Sequence, residues 1–129
     1  MAASFHLIAP NTRVTANGDG APVDISASAT RTYLCTLDIA DQIEQEALDV
    51  SIWGSADGEK FGTQLLKIPQ SFYKGNVKQV LELTYAPDVR FIRAHWDLTR
   101  WGRVAPHPMF VISLLLDEVP AFTQHAAVR

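Results

Sequence analysis

Apolar residues recur at every second position over much of this chain. That is the period of a strand with one buried face, not of an amphipathic helix. Tyr33, Cys35, Leu37 and Ile39 alternate with Leu34, Thr36, Asp38 and Ala40. Leu48, Val50 and Ile52 alternate with Asp49, Ser51 and Trp53; Leu81, Leu83 and Tyr85 alternate with Glu82 and Thr84. Phe110, Ile112, Leu114 and Leu116 alternate with Val111, Ser113 and Leu115. Residues 89–96 are rich in β-formers and predict a strand with Ile92, Ala94 and Trp96 inward. Weaker strand candidates lie at 13–15 and 22–25.

Turn chemistry separates these runs. Asn17-Gly18-Asp19-Gly20 predicts a tight turn with positive-φ residues, and Asp57-Gly58, after Trp53-Gly54-Ser55, predicts a hairpin. Tyr73-Lys74-Gly75-Asn76, Ala86-Pro87-Asp88 and a longer loop over 101–108 complete the punctuation. Six to eight short strands so spaced predict an all-β fold, an antiparallel β-sandwich of jelly-roll type. Residues 40–47 break the period. They hold only Ile43 and Ala47 as an apolar face, and read as a polar loop or one short helix. The expected organisation is one sandwich domain over 13–117, an N-terminal arm over 1–12 and a C-terminal tail over 118–129.

Composition narrows the class. Of 129 residues, 47% are hydrophobic and 19% charged, too apolar for a disordered chain and enough for a core without staples. The formal net charge of −3 argues against a general nucleic-acid binder. Cys35 is the single cysteine, so no intrachain disulfide framework exists, and its alternating apolar setting predicts a buried thiol rather than a nucleophile. The first ten residues lack the basic and apolar regions of a secretory signal, and 110–116 is too short to span a bilayer. The expectation is a chain with no signal peptide and no membrane association.

The charge is unevenly distributed. Between positions 32 and 59 there is no Lys or Arg, and seven acids: Asp38, Asp41, Glu44, Glu46, Asp49, Asp57 and Glu59. Between 90 and 103, Arg90, Arg93, Arg100 and Arg103 accompany the single acid Asp97. Three readings stand side by side. The two segments pair inside one sandwich, or they form complementary patches that steer subunits together, or the arginines bind nucleic acid with Trp96 and Trp101 stacking. Strand geometry opposes the third, because Arg90 and Arg93 fall on opposite faces. The assembly reading names Asp41, Glu44, Glu46, Arg90, Arg93, Arg100 and Arg103 as interface residues.

No catalytic signature is present. His6, His95, His107 and His125 are not at metal-pair spacing. Asp41, Glu44 and Glu46 are candidate calcium ligands, but without the Asp-x-Asp-x-Asp-Gly pattern they read as solvated loop acids. Glu82 and Asp97 have no apparent apolar pocket to raise a pKa. Nucleophile-elbow, zinc-protease and phosphate-loop motifs are absent. The reading is a non-enzyme with no cofactor and no metal. Trp53 lies opposite the apolar face of its strand and Trp101 in a loop. Such aromatics stack on sugar rings, anchor protein interfaces or pack a second sheet face.

The run Leu48-Asp49-Val50-Ser51-Ile52-Trp53-Gly54-Ser55-Ala56-Asp57-Gly58-Glu59-Lys60-Phe61 is followed some thirty residues later by Val89-Arg90-Phe91-Ile92-Arg93-Ala94. Together with the turn at Thr15-Ala16-Asn17-Gly18 and the strand over 110–116, it resembles small β-sandwich structural proteins of tailed phages and prophages, of head or tail accessory type. The resemblance spans 13–117. It implies a structural or assembly subunit, a virion or particle component that contacts itself or other particle proteins as a homo-oligomer, in the virion or the bacterial cytoplasm. The same Ser-x-Asp-Gly and Arg-Phe-Ile-Arg elements are similar to discoidin-like domains. That implies, as the alternative, a carbohydrate-binding module using Trp53 or Trp101, although the paired cysteines of many such domains are missing.

Overall fold

The protein is described by a computed structural model at residues 4–43, 46–100 and 109–120. These residues form nine strands and no helix. They are β1 (Ser4–Val14), β2 (Gly18–Asp19), β3 (Val23–Asp24), β4 (Thr32–Gln42), β5 (Glu46–Ser55), β6 (Thr63–Lys67), β7 (Gly75–Glu82), β8 (Phe91–Arg100) and β9 (Phe110–Glu118). One sheet has the order β1-β9-β4-β7 and the other β2-β8-β5-β6, with β3 also paired to β8. Every pairing is antiparallel. If β2 and β3 are counted as one interrupted strand, the two sheets read 1-8-3-6 and 2-7-4-5. This is the double Greek key of a jelly roll.

The strand periodicity is borne out in the core. Tyr33, Cys35, Leu37 and Ile39 of β4 and Phe110, Ile112, Leu114 and Leu116 of β9 are all buried. They meet Leu48, Val50 and Ile52 of β5 and Ile92 and Ala94 of β8 in one apolar cluster. Each fully buried Leu, Ile or Phe contributes roughly 2 kcal/mol before entropy is counted. Trp96 is only partly buried against that cluster, and Tyr85, expected inward, is 65% exposed. The strand β7 ends at Glu82, and a turn over 83–86 carries Tyr85 out to solvent.

Several boundaries differ from the sequence reading, among them β6, which it did not anticipate, and β7, which lies over 75–82 rather than 81–85. Residues 4–12, expected in an arm, form most of β1. They run along β9 from Ser4 opposite Asp117 to Val14 opposite Phe110, with register breaks between His6 and Ile8 and between Ile8 and Thr12. Those breaks conceal the two-residue period in the sequence. Asn11 takes φ 60° within the second of them. Glu118, placed in the tail, is the last residue of β9. Residues 40–42 and 46–47, expected in a polar loop or helix, belong to β4 and β5, where pairing to β9 and β8 overrides the polar local sequence.

The glycines of 17–20 also serve a different purpose. Gly18 and Asp19 pair with Trp96 and His95 as β2, and positive-φ glycines among the described residues are Gly58 and Gly75 instead. A Cβ on Gly18 would lie 3.1 Å from the Trp96 indole, so the small residue permits close approach rather than a turn. Gly58, with φ 81°, is where the predicted hairpin needs glycine.

Candidate functional site

The loops cluster at the two ends of the sandwich. One end holds 15–17, Ile43 and 68–74; the other holds 25–31, 56–62 and 83–90. The second end is built by side chains that local sequence patterns did not reveal. The Arg31 guanidinium donates through Nη2 to the carbonyls of Ala86 and Val89 at 2.8 Å each, and through Nε to that of Leu83 at 3.3 Å. Glu118 Oε2 accepts from Ser28 Oγ at 2.8 Å, from the Thr30 backbone N–H at 3.0 Å and from Thr30 Oγ1 at 3.1 Å. The Thr30 backbone bond, the first of these in effect, holds the Glu118 pKa below its ordinary value.

The Ser-x-Asp-Gly element closes the 56–62 loop locally. Ser55 Oγ accepts from the backbone N–H of Gly58 at 2.9 Å and donates to Asp57 Oδ1 at 2.8 Å. The same Asp57 oxygen accepts from the N–H groups of Glu59 and Lys60 at 2.9 and 3.0 Å. Backbone donation from Lys60 and Glu59, with Ser55, lowers the Asp57 pKa to about 2. The loop is thereby set to carry Phe61 back over the outer face of the sheet.

That outer face holds the most side-chain chemistry. Register places Trp53 opposite Arg93, Ser51 opposite His95, and Asp19 opposite His95 on the other side. The Arg93 guanidinium lies 4.3 Å from the Phe61 ring centroid, a cation–π contact. His95 Nδ1 is 2.7 Å from Asp19 Oδ1, and its Nε2 is 3.2 Å from Asp97 Oδ1. Partial burial pulls the His95 pKa down, but the hydrogen bonds and charges of Asp19 and Asp97 outweigh it and raise the value. Trp53 Nε1 donates to Ser51 Oγ at 2.9 Å. Asp49, directly across from Asp97, accepts from Lys67 Nζ at 3.0 Å and Gln70 Nε2 at 2.9 Å. Asp19, Trp53, Phe61, Arg93 and His95 line a recess of about 250 Å³.

Of the residues named for complementary assembly patches, Asp41, Glu46, Arg90 and Arg93 have described side chains, and these lie in different parts of the molecule. Asp41 is exposed at the far end of β4, where it lies opposite Val111. Glu46 is not a solvated loop acid: it is 1% exposed, and its Oε1 accepts from the Met109 N–H at 2.6 Å. Its backbone position faces that of Arg100, ten residues of antiparallel pairing joining β5 to β8. The acidic and arginine-rich segments are thus adjacent strands in part. Asp38 lies on β4, in the other sheet. Arg90 is exposed at the opposite end of the molecule from Asp41, its N–H bonded to the Ser55 carbonyl at 2.9 Å. Arg93 is turned into the recess. Glu44, Trp101 and Arg103 lie outside the described residues, as does the Arg100 side chain.

Among the described residues, no group of three or more His, Cys, Asp and Glu is placed to hold a metal ion, and no helix is long and apolar enough to cross a membrane. Cys35 is buried and its thiol pKa is pushed up to about 12 by burial alone.

No protein-family model and no curated protein sequence matches this chain. Solved structures do match in fold. The crystal structure of the infectious bursal disease virus VP2 subviral particle aligns with a TM-score of 0.51 and 11% identity, over 100% of this chain and 34% of that one. The structure of the Gx strain of infectious bursal disease virus aligns with a TM-score of 0.50 and 11% identity, over 91% of this chain and 31% of that one. The chain spans about a third of the length of these structures. At this identity the likeness is one of β-sandwich fold.

Proposed function

We propose that this protein is a non-enzymatic structural subunit of a virion or virus-like particle, of phage type, that works through contacts with other copies of itself or with other particle proteins. The observation that carries the reading is the jelly-roll strand order, shared in fold with a VP2 subviral particle. The phage assignment rests on the resemblance of the Ser55-Ala56-Asp57-Gly58 and Arg90-Phe91-Ile92-Arg93 elements.

The surface supports contacts anchored by aromatics more than steered by charge. Glu46 is buried and Arg93 is engaged with Phe61, which leaves Asp41 and Arg90 as the exposed described members of the charged set. These two sit at opposite ends of the sandwich, as head-to-tail contact requires. Tyr73 is 75% exposed at the Asp41 end and Tyr85 65% exposed at the Arg90 end. Exposed tyrosines of this kind are common interface anchors.

Size-exclusion chromatography with light scattering, followed by negative-stain microscopy, tests the reading on the full chain at low and high salt. The expected result is a discrete assembly that loses mass when Tyr73 or Tyr85 is replaced by Ser. A monomer at every salt and protein concentration overturns self-assembly. In that case, failure to co-purify with particle proteins when co-expressed overturns the wider reading.

A further inference from the structure

The recess on the outer face of the β2-β8-β5-β6 sheet takes no part in the contacts proposed above. Its polar groups are incompletely used by one another. Asp19 Oδ1 is committed to His95 at 2.7 Å, but Asp19 Oδ2 reaches Arg93 Nη2 only at 3.9 Å. That separation is too long for a hydrogen bond, and both side chains retain solvent access, at 43% for Asp19 and 31% for Arg93. A carboxylate oxygen and a guanidinium N–H held side by side at this spacing suit two adjacent hydroxyls. One hydroxyl donates to the acid, and its neighbour accepts from the base.

Two other features fix the class of ligand. The Phe61 ring is already taken by the Arg93 guanidinium at 4.3 Å, which both locks the donor fork and removes that ring as a cage for a second cation. Trp53 supplies the remaining aromatic surface, and its Nε1–H is satisfied by Ser51, so the indole offers an apolar face rather than a donor. Asp19 and Asp97 at least balance Arg93 and His95, which leaves no net positive charge at the mouth to select an anion. A small ring with an apolar face and vicinal hydroxyls meets all of these conditions.

We propose that the recess binds a neutral pyranose sugar, with its apolar face against Trp53 and a vicinal diol bridging Asp19 and Arg93. His95, held between Asp19 and Asp97, positions the Asp19 carboxylate for that bond. A cavity of about 250 Å³ suits one sugar unit of a longer glycan, with the chain extending into solvent.

The test is a titration of the full chain with the methyl glycosides of glucose, galactose, mannose and N-acetylglucosamine, followed by protein NMR shifts and saturation transfer to the sugar. Sialyllactose serves as the charged comparison. At least one neutral glycoside is expected to give saturable shifts confined to Asp19, Trp53, Phe61, Arg93 and His95. Asp19→Asn is expected to weaken binding ten-fold or more, Trp53→Ala to abolish it, and Val80→Thr, on the exposed face of the other sheet, to leave it unchanged. Spectral dispersion checks that each variant is folded. If Trp53→Ala is not, Asp19→Asn and Arg93→Gln carry the test. The proposal is overturned by absence of saturable shifts with every neutral glycoside, by binding that survives the recess variants, by loss of binding in Val80→Thr, or by binding of the charged sugar alone.

Discussion

The Nη2 of Arg31 donates to the carbonyl of Val89, 58 positions away in sequence, at 2.8 Å. With the bonds to Ala86 and Leu83, one guanidinium satisfies three carbonyls of the 83–90 loop. Arg31 itself takes φ 55°, an uncommon backbone for a non-glycine residue. Its side-chain bonds hold it there and so tie the β3–β4 connection to the β7–β8 connection.

Removing this tether therefore costs more than one hydrogen bond. Arg31→Ala is expected to destabilise the fold by about 2 kcal/mol, because the Val89 carbonyl loses its guanidinium donor while those of Leu83 and Ala86 are left with one backbone donor each. Arg31→Lys is expected to recover less than half of that, since a single ammonium cannot reproduce the planar fork. Chemical denaturation of the three proteins measures both differences. A loss within 0.5 kcal/mol, about the spread of ordinary surface substitutions, contradicts the tether.

Glu118 supplies a pH-dependent counterpart at the same end. Its folded pKa lies below the ordinary 4.5, so its stabilising contribution is present above that value and is lost as pH falls through the lowered one. The stability gap between wild type and Glu118→Gln is expected to be constant near neutrality and to close in acid. Thermal melts from pH 7 to pH 3 follow it; a gap that widens in acid refutes the assignment.

His95 acts with the opposite sign. Its folded pKa is raised above 6.5 by Asp19 and Asp97, so its contribution is full below 6.5 and fades as pH rises through the folded value. His95 is one of several side chains and backbone groups that pin the two-residue strand β2 to β8, beside the Leu98 N–H to Asn17 and Trp96 Nε1 to Ala16 bonds. Hydrogen exchange at Gly18 and Asp19, corrected for the intrinsic pH dependence, is expected to show protection that is full below pH 6.5 and falls as pH rises above it. Asp19→Asn is expected to flatten that dependence.

Cys35 lies between the sheets with no exposed surface and a thiol pKa of about 12. A thiol reagent is expected to react with the native protein only through unfolding, so its rate should rise with denaturant alongside the unfolded fraction. Fast labelling in native buffer would show a looser core than this packing describes.

The parts of the candidate site differ in how far the sequence revealed them. Ser55, Asp57 and Gly58 are near neighbours, and their spacing alone predicts the turn they form. Strand alternation alone puts Trp53 opposite the apolar face of β5, where it lines the recess. Phe61 meeting Arg93, and Asp19 meeting His95, join residues 32 and 76 positions apart. No local pattern brings such pairs together. The acidic block is split for the same reason: β4 and β5 are consecutive in sequence but lie in different sheets, which separates Asp38 and Asp41 from Glu46 and Asp49.

The sequence by itself determined β4, β5, β8 and β9, most of their inward faces and the two-layer class, because a period of two with turn residues between runs leaves few other ways to bury the apolar side. Only the tertiary structure decided that residues 4–12 complete a sheet, that Glu46 is internal, that Arg31 and Glu118 bind one end together, and that Trp53, Arg93 and Asp19 share a recess. Side-chain alternation is local and set by the backbone. Strand order and register depend on pairing between distant segments, and these decide which polar groups face one another.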